Sequence, residues 1–298
     1  MSISQTDRVF IEAHAYTYDH NFSFYSLILG EPFFRNGLIH YFDGRLLSIC
    51  TYLVEENSNK VNEESLRMTI LDIISFFEPE AIDIWGPYSD VYILPVPEGW
   101  LHHPLANPEE FHRDIVILLP SFNPSKVPHL HKSISYAEKN GVRIVAQRLG
   151  QLSARHITLL EGLAVRPDVH LFDRIFYSTI AYWSIISRPL AFEAWRDNEL
   201  LGYLILDESL PNLPICLAVF AVRKPAVVSD ILYNAMFHYC IRVGYQRISL
   251  GHSYNEGLYT YKEKWGQSLV QAGFWESFLA SPDSSISPAR NPWLSRIL

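Results

Sequence analysis

Residues 242–266 read RVGYQRISLGHSYNEGLYTYKEKWG, and this stretch carries the clearest indication of the fold. Gly244 ends a helical pattern, since glycine is common just past the last turn of a helix. The short apolar run 248–251 then reads as a buried strand, and a polar, aromatic turn follows it directly. Ligands of open α/β sheets bind at the carboxyl ends of strands. The stretch therefore predicts an α/β fold whose ligand site includes residues just after position 251.

The elements before this stretch alternate between helices and strands. The strongest signals are a helix that stops at Asn140-Gly141, a hairpin that turns at Asp197-Asn198, and a helix that Ser229 caps. The predicted helices span 129–139, 153–164, 171–185 and 230–243, and the predicted strands span 142–146, 190–197, 199–207 and 215–222.

The first third of the chain shows a similar alternation. Two strands within 36–54 join at a tight Asp43-Gly44 turn, and proline-rich stretches at 95–107 and 121–128 are predicted to be loops. A helix at 62–77 and strands at 81–85 and 114–120 complete this part. Both parts predict a mixed sheet with helices packed on it. We expect two half-domains, 1–125 and 126–275, with the tail 276–298 packing back on the first.

The composition is that of a globular protein with an acidic balance. Of 298 residues, 48% are hydrophobic and 19% are charged, and the net charge is −8. A protein that holds nucleic acid along much of its surface is usually basic, so this charge argues against an extended nucleic-acid footprint. Three cysteines do not form a disulfide framework. The chain has neither a signal-peptide pattern nor an apolar run long enough to span a membrane, so we expect a cytoplasmic protein.

Two motifs resemble the Fem-type branch of the GNAT acyltransferase superfamily. The run 242–251 is similar to that family's helix, glycine and short strand, and YKEKWG at 261–266 is similar to its aromatic-Lys-x-x-aromatic-Gly box. The helix at 129–139, followed by Asn140-Gly141-Val142, also resembles the opening of the family's second half. The resemblance covers residues 128–274 directly, and the first half is assigned by analogy.

The resemblance implies a tandem fold, with two GNAT-like half-domains around a cleft. Fem-type proteins transfer an amino acid from aminoacyl-tRNA to an amine, and other relatives use acyl-CoA. The lysine of the family's box corresponds to Lys262, which the resemblance places near the phosphates of the donor or acceptor. A lysine at the mouth of a cleft neutralises phosphate or stabilises an oxyanion. The alternative is a solvated lysine on a charged helix.

Residues around the end of the strand supply the other candidates. His252 is either a general base that deprotonates an amine or a structural hydrogen-bonding residue. Tyr254 is the third candidate catalytic residue, and both Tyr254 and Tyr259 either contact the acceptor or simply pack. The predicted substrate-binding residues are Arg223, Lys224, Ser253, Asn255, Glu256, Tyr259 and Trp265, of which Trp265 also shapes the turn.

Two departures from the GNAT pattern bear on the donor. A CoA-binding GNAT protein carries a glycine-rich loop ahead of a helix, and the backbone N–H groups of that loop hold the pyrophosphate. Residues 222–229 contain no glycine and include Pro225, which has no N–H, so only Arg223 and Lys224 supply charge there. This favours aminoacyl-tRNA. The helix at 129–136 is less basic than the family's, which together with the net charge argues against a large RNA footprint.

We therefore predict an acyltransferase that uses aminoacyl-tRNA to form an amide bond on the amine of a small molecule or peptide precursor, with no resident cofactor. Two alternatives are an acyl-CoA-dependent GNAT N-acyltransferase and a non-catalytic GNAT-fold binding protein. A hydrolase elbow at 251–255 is disfavoured because Asn255 replaces the last glycine. A metal site is disfavoured because no cysteine or carboxylate stands at ligand spacing among the histidines His102, His103, His112, His129 and His131.

Overall fold

Two compact units make up the chain. The first consists of Met1–Asp114 and Gln271–Leu298, and the second of Ile115–Val270. The computed structural model describes residues 3–51, 53–54, 63–87, 99–102, 112–164, 171–221, 225–253 and 256–280.

The first unit opens with two helices, three strands, a helix and a strand. These are α1 Gln5–His14, α2 Phe22–Leu29, β1 Glu31–Arg35, β2 Leu38–Phe42, β3 Leu46–Cys50, α3 Glu63–Phe77 and β4 Ala81–Pro87; a short 3₁₀ helix, Tyr18–His20, precedes α2. Strand β5 Leu101–His102 follows, and β6 His112–Leu118 begins in the first unit and ends in the second. The strands pair in the order β1-β2-β3-β4, antiparallel except for β3 with β4, which run parallel.

The second unit repeats this order after an added helix and strand. Two short 3₁₀ helices, Leu119–Ser121 and Pro124–Lys126, precede α4 Leu130–Lys139, β7 Val142–Arg148, α5 Ala154–Ala164, α6 Leu171–Ser187, β8 Leu190–Arg196, β9 Glu199–Asp207, β10 Ile215–Ala221, α7 Pro225–Val243, β11 Arg247–Ser253, α8 Glu256–Glu263 and β12 Ser268–Leu279. Strands β8, β9 and β10 pair antiparallel, and β10 runs parallel to β11. Each unit thus holds a mixed sheet with helices, and the predicted α/β class is confirmed.

Strand β12 begins in the second unit and continues in the first, where residues 273–279 pair antiparallel with β4. Strand β5 also pairs with β12, through Leu101 and His102. The sequence predicts a loop over 95–107, of which only 99–102 are described. Leu101 and His102 form a strand because β12 offers them a hydrogen-bonding edge, and local sequence gives no sign of that edge.

The start of α7 also differs from the prediction. The helix begins at Pro225, one turn before the predicted cap at Ser229. Proline suits the first helical position because its missing N–H would have no partner there and its fixed φ is already helical. Ser229 therefore lies inside the helix. Helix α1, which the sequence prediction omits, begins with a capping box in which the Ser4 side chain accepts from the Asp7 N–H and Asp7 accepts from the Ser4 N–H.

Each unit has its own apolar core. In the first, α3 packs Ile70, Ile73 and Ile74 against strand residues such as Ile49 and Ile84. In the second, α7 packs on the sheet through the core residues Ile231, Leu232, Met236, Phe237 and Cys240. All three cysteines are buried free thiols. Among the described residues, the helices are all too short or too polar to cross a membrane.

Candidate functional site

The parallel strands β10 and β11 separate soon after they meet. Within the described part of both strands they share one paired position, Ile215 opposite Ser249. Strands β3 and β4 occupy the same place in the element order of the first unit, yet they pair continuously from Leu46 to Cys50. An opening between neighbouring parallel strands is therefore a feature of the second unit.

A bulge in β10 accompanies this separation. The register between β10 and β9 shifts between Cys216 and Ala218, so Leu217 is an extra residue. A bulge bends its strand and increases the local twist. Beyond the bond from the Ser249 N–H to the Pro214 carbonyl, 3.0 Å long, the two strands diverge. Their carboxyl-terminal halves are therefore not paired with each other.

Lys262 fills part of this opening. The residue is only 5% exposed, and its Nζ donates to the carbonyls of Gly251, at 3.0 Å, and His252, at 2.6 Å. Successive carbonyls of a regular strand point to opposite sides, so one group cannot normally bind both. Gly251 has a φ of 70°, in the left-handed region that glycine tolerates. This turn lets both carbonyls face the same ammonium group.

These contacts bear on the role of Lys262. An ammonium group has three N–H donors, and two of them bind backbone carbonyls inside the protein. A direct role at a phosphate or an oxyanion stays a prediction. The observed contacts favour a role in which Lys262 holds the end of β11 in its diverging path.

The structure brings His252 and Ser253 together with Lys262 at the end of β11. His252 is half-buried, and Ser253 is buried with its Oγ lacking a hydrogen-bond partner in the described structure. Glu256 is exposed at the first position of α8, and the Tyr259 hydroxyl donates to Glu263 at 2.5 Å. The remaining predicted site residues, Arg223, Lys224, Tyr254 and Asn255, lie outside the described residues.

Trp265 packs in the core of the second unit. Its ring is fully buried and stacks on Tyr233 and Phe237, with both centroid distances at 5.3 Å. The following residue, Gly266, is closely packed, because a Cβ there would lie 3.0 Å from the Ser121 Oγ. The end of the YKEKWG box is thus part of the packing that fixes α8 in place.

Asp230 is an anchoring residue that the sequence prediction missed. Its Oδ1 accepts from the Tyr261 hydroxyl at 3.0 Å and from Lys264 Nζ at 2.6 Å, and its Oδ2 accepts from the Ser133 hydroxyl at 2.9 Å. The carboxylate is buried and joins α4, α7 and the YKEKWG box, which overlaps the end of α8. The available signal was a charged residue within the apolar helical pattern of α7.

Cys216 lies at the bulge but does not have the properties of a nucleophile. Burial raises the pKa of its thiol to about 12, against the smaller opposing effects of the Lys262 ammonium and a hydrogen bond with Tyr233. The thiol is therefore neutral at physiological pH, and the thiolate is the reactive form. Among the described residues, His, Cys, Asp and Glu form no group of three or more that could hold a metal ion.

Comparison with known proteins identifies the fold. No protein-family model and no curated protein sequence matches the chain. FemX is 12% identical, with 94% of this chain and 96% of that chain covered and a TM-score of 0.57. L-PGS from Bacillus licheniformis is 13% identical, with 95% and 94% covered and a TM-score of 0.54.

A third structure, the C-terminal domain (DUF2156) of a putative lysylphosphatidylglycerol synthetase from Agrobacterium fabrum, is 11% identical. The match covers 92% of this chain and 93% of that chain, with a TM-score of 0.51. Likeness at such low identity concerns the fold alone. The chain has the tandem GNAT-like fold that it shares with these proteins.

Proposed function

We propose that this chain is an aminoacyltransferase, which moves an aminoacyl group from aminoacyl-tRNA to the amine of a small molecule or peptide precursor. The fold shared with FemX and L-PGS supports acyl transfer as the class of reaction. The resemblance of 242–251 and 261–266 to the Fem-type motifs supports aminoacyl-tRNA as the donor.

The observation that carries the proposal is the opening between β10 and β11. Backbone N–H groups along diverging strands can donate to a bound ester or to the oxyanion that forms from it. The ester is already activated, so the protein mainly has to hold the ester and the amine in the correct geometry. The amine nitrogen then attacks the ester carbonyl, the ribose hydroxyl leaves, and the amide bond remains.

The residues at the end of β11 have distinct roles in this proposal. His252 is the candidate base that accepts a proton from the attacking amine, since imidazole titrates near neutral pH. Lys262 is a positioning residue, because its ammonium acts on the site through the carbonyls of Gly251 and His252. Tyr259 and Glu256 lie on α8, next to the site, and are candidate acceptor contacts.

The segment that leads into α7 favours a tRNA ester over CoA. A pyrophosphate is usually held by successive N–H groups at a helix N-terminus. Helix α7 begins with Pro225, which lacks an N–H, and no glycine occurs in 222–229. A second candidate, an acyl-CoA-dependent N-acyltransferase, is favoured by the net charge of −8, which disfavours a large RNA footprint.

One experiment separates the candidates. The purified protein is incubated with a mixture of amines and either a tRNA pool charged with labelled amino acids or labelled acetyl-CoA, and label in small-molecule amides is counted. We expect label from charged tRNA. Transfer from acetyl-CoA alone would support the second candidate. Transfer from neither donor, with amines that include a total small-molecule extract, would support a non-catalytic binding protein.

A further inference from the structure

A serine, a histidine and a glutamate form a hydrogen-bonded cluster in the second unit, and the proposed transferase site uses none of them. The Ser153 Oγ lies 2.7 Å from His156 Nδ1, and His156 Nε2 lies 3.0 Å from Glu193 Oε1. Ser153 precedes α5, His156 lies in its first turn, and Glu193 lies on β8. Residues far apart in sequence therefore combine a hydroxyl, an imidazole and a carboxylate.

The hydrogen bonds define the tautomer of His156. The backbone N–H of Ser153 donates to Nδ1 at 3.2 Å, so Nδ1 is an acceptor and the ring proton lies on Nε2. The Nε2–H group then donates to Glu193. With Nδ1 unprotonated, the imidazole can accept the hydroxyl proton of Ser153. This is the order of proton donors and acceptors that activates a serine nucleophile.

Glu193 is held as a carboxylate. Its Oε1 also accepts from Gln147 at 2.6 Å, and its Oε2 accepts from Trp195 at 2.7 Å. Burial alone would raise the pKa of Glu193, but hydrogen bonds from His156, Gln147 and Trp195 outweigh burial and lower that pKa. The residue is 1% exposed, so water does not compete for these bonds.

Of the three residues, only Ser153 is exposed to solvent. Glu193 and His156 are buried at 1% and 4%, whereas Ser153 is exposed. Ser153 stands between β7 and α5, so the first N–H groups of an 11-residue helix lie next to its hydroxyl. Unpaired N–H groups of this kind can stabilise an oxyanion. The Arg155 guanidinium, from the first turn of α5, lies 5.3 Å from the ring centroid of Trp195.

We propose that Ser153 is a nucleophile with esterase activity toward small activated esters. The Ser153 Oγ attacks the ester carbonyl and forms an acyl-serine bond, while its proton passes to His156 Nδ1. The ester C–O bond breaks, and the leaving alcohol takes that proton. Water then attacks the acyl-serine, with its proton again passing through His156. The products are a carboxylic acid and the regenerated serine. This activity needs neither tRNA nor an amine.

The test uses the full-length protein, a biotinylated fluorophosphonate and p-nitrophenyl acetate. The fluorophosphonate forms an Oγ–P bond and releases fluoride. We expect one adduct per chain on Ser153, located by peptide mass spectrometry, and ester hydrolysis that Ser153→Ala abolishes. Ser125→Ala is the matched control, because Ser125 is also exposed and its hydroxyl bonds Asn123. This variant should label like the wild type.

A second pair of variants separates nucleophilic reactivity from helix capping. Ser153→Asp keeps a side chain that can cap α5 but has no nucleophilic hydroxyl, so it should melt like the wild type and not label. Glu193→Gln, with its fold checked by circular dichroism, should label about 10²–10⁴-fold more slowly, because His156 loses the carboxylate that holds its tautomer. The proposal is overturned if the adduct forms elsewhere. It is equally overturned if no adduct forms under conditions that fully label a known serine hydrolase.

Discussion

The ammonium of Lys262 takes the place of a neighbouring strand. In a continuous parallel pair, the strand carbonyls would accept from the N–H groups of the adjacent strand. Here a side chain that lies 11 residues beyond Gly251 reaches back to that carbonyl and to the next one. The carbonyls at the end of β11 therefore depend on one buried cation for these two hydrogen bonds.

This dependence predicts the effect of Lys262→Met, which keeps the apolar stem and removes the donors. Each buried carbonyl that loses its donor costs about 1–3 kcal/mol of unfolding free energy. We expect a lower urea midpoint together with loss of transferase activity. Lys132→Met on the exposed face of α4 is the control and should change stability by less than about 0.5 kcal/mol. If Lys262 only bound phosphate, the variant would lose activity and keep its urea midpoint.

The close packing around Gly266 predicts that a side chain at this position destabilises the protein. A Cβ at this position would lie 3.0 Å from Ser121 Oγ and 3.1 Å from Ile117 Cγ2. Because that hydroxyl bonds the Gln267 N–H and the Leu118 carbonyl, it cannot move freely. Gly266→Ala should destabilise the protein by about 1–3 kcal/mol, as overpacking does.

Gly150→Ala is the matched glycine control for Gly266→Ala. A Cβ at Gly150 meets no atom within 4 Å, and the residue has no positive φ. Gly150→Ala should leave the free energy of unfolding unchanged or raise it by up to about 1 kcal/mol, because alanine reduces the conformational entropy of the unfolded chain. Equal urea midpoints for the two variants would show that the Ser121 side chain moves to make room for the added Cβ.

At the scale of elements, one carboxylate joins three of them. Asp230 on α7 binds Ser133 on α4 as well as Tyr261 and Lys264 in the box around the end of α8. The pair with Lys264 is mostly buried, since the two side chains are 5% and 17% exposed. Breaking a buried pair leaves an uncompensated charge, whereas removing both partners does not.

A double-mutant cycle tests the contribution of the ion pair between Asp230 and Lys264. Asp230→Asn and Lys264→Met should each destabilise the protein by about 3–5 kcal/mol, the typical cost of one broken buried pair. The double variant should lose clearly less than the sum, because neither charge is then left alone. Urea unfolding of the four proteins gives the coupling. Strict additivity would mean that the two charges stabilise independently.

The hydrogen bond between His156 on α5 and Glu193 on β8 predicts that stability depends on pH. In the folded protein, hydrogen bonds lower the pKa of Glu193 below its usual 4.5 in spite of burial. The folded state therefore favours the carboxylate, and this contribution is present above pH 4.5 and lost as pH falls through the folded pKa. Glu193→Gln should show a smaller loss of stability than the wild type over that acid range. Unfolding midpoints that fall in parallel would contradict the assignment.

The elements differ in how far local sequence could predict them. Helix α3 and the β8–β9 hairpin follow from apolar periodicity and a turn signal, and both are observed where predicted. Strand β12 has no such signal, because its identity comes from pairing with β4, whose residues are remote in sequence. The position of Lys262 was predictable from the box. Its carbonyl contacts were not, since they need the left-handed turn at Gly251 and the completed fold.

For the molecule as a whole, the two units differ in whether their equivalent parallel strands stay paired. Both units have the same order of elements, but only in the second do the equivalent parallel strands diverge within the described residues. A tandem fold with one opening is consistent with a single donor site per chain.

We predict that this protein binds CoA weakly or not at all. Helix α7 begins at a proline, which has no N–H, and residues 222–229 contain no glycine. Fewer backbone N–H groups are therefore available to bind the pyrophosphate of CoA. Calorimetry should detect weak CoA binding or none. A dissociation constant in the low micromolar range, equivalent to about −8 kcal/mol, would contradict this and favour acyl-CoA as the donor.

The pairing of β4 with residues 273–279 has a consequence for synthesis on the ribosome. The second unit, Ile115–Val270, is translated before that partner strand exists. Until then one edge of β4 is uncovered, and an uncovered strand edge can pair with another nascent chain. Domains usually fold in order as they emerge, but here the first sheet is completed last. A translation stop just after Val270 would therefore leave that edge of β4 permanently open to pairing with other chains.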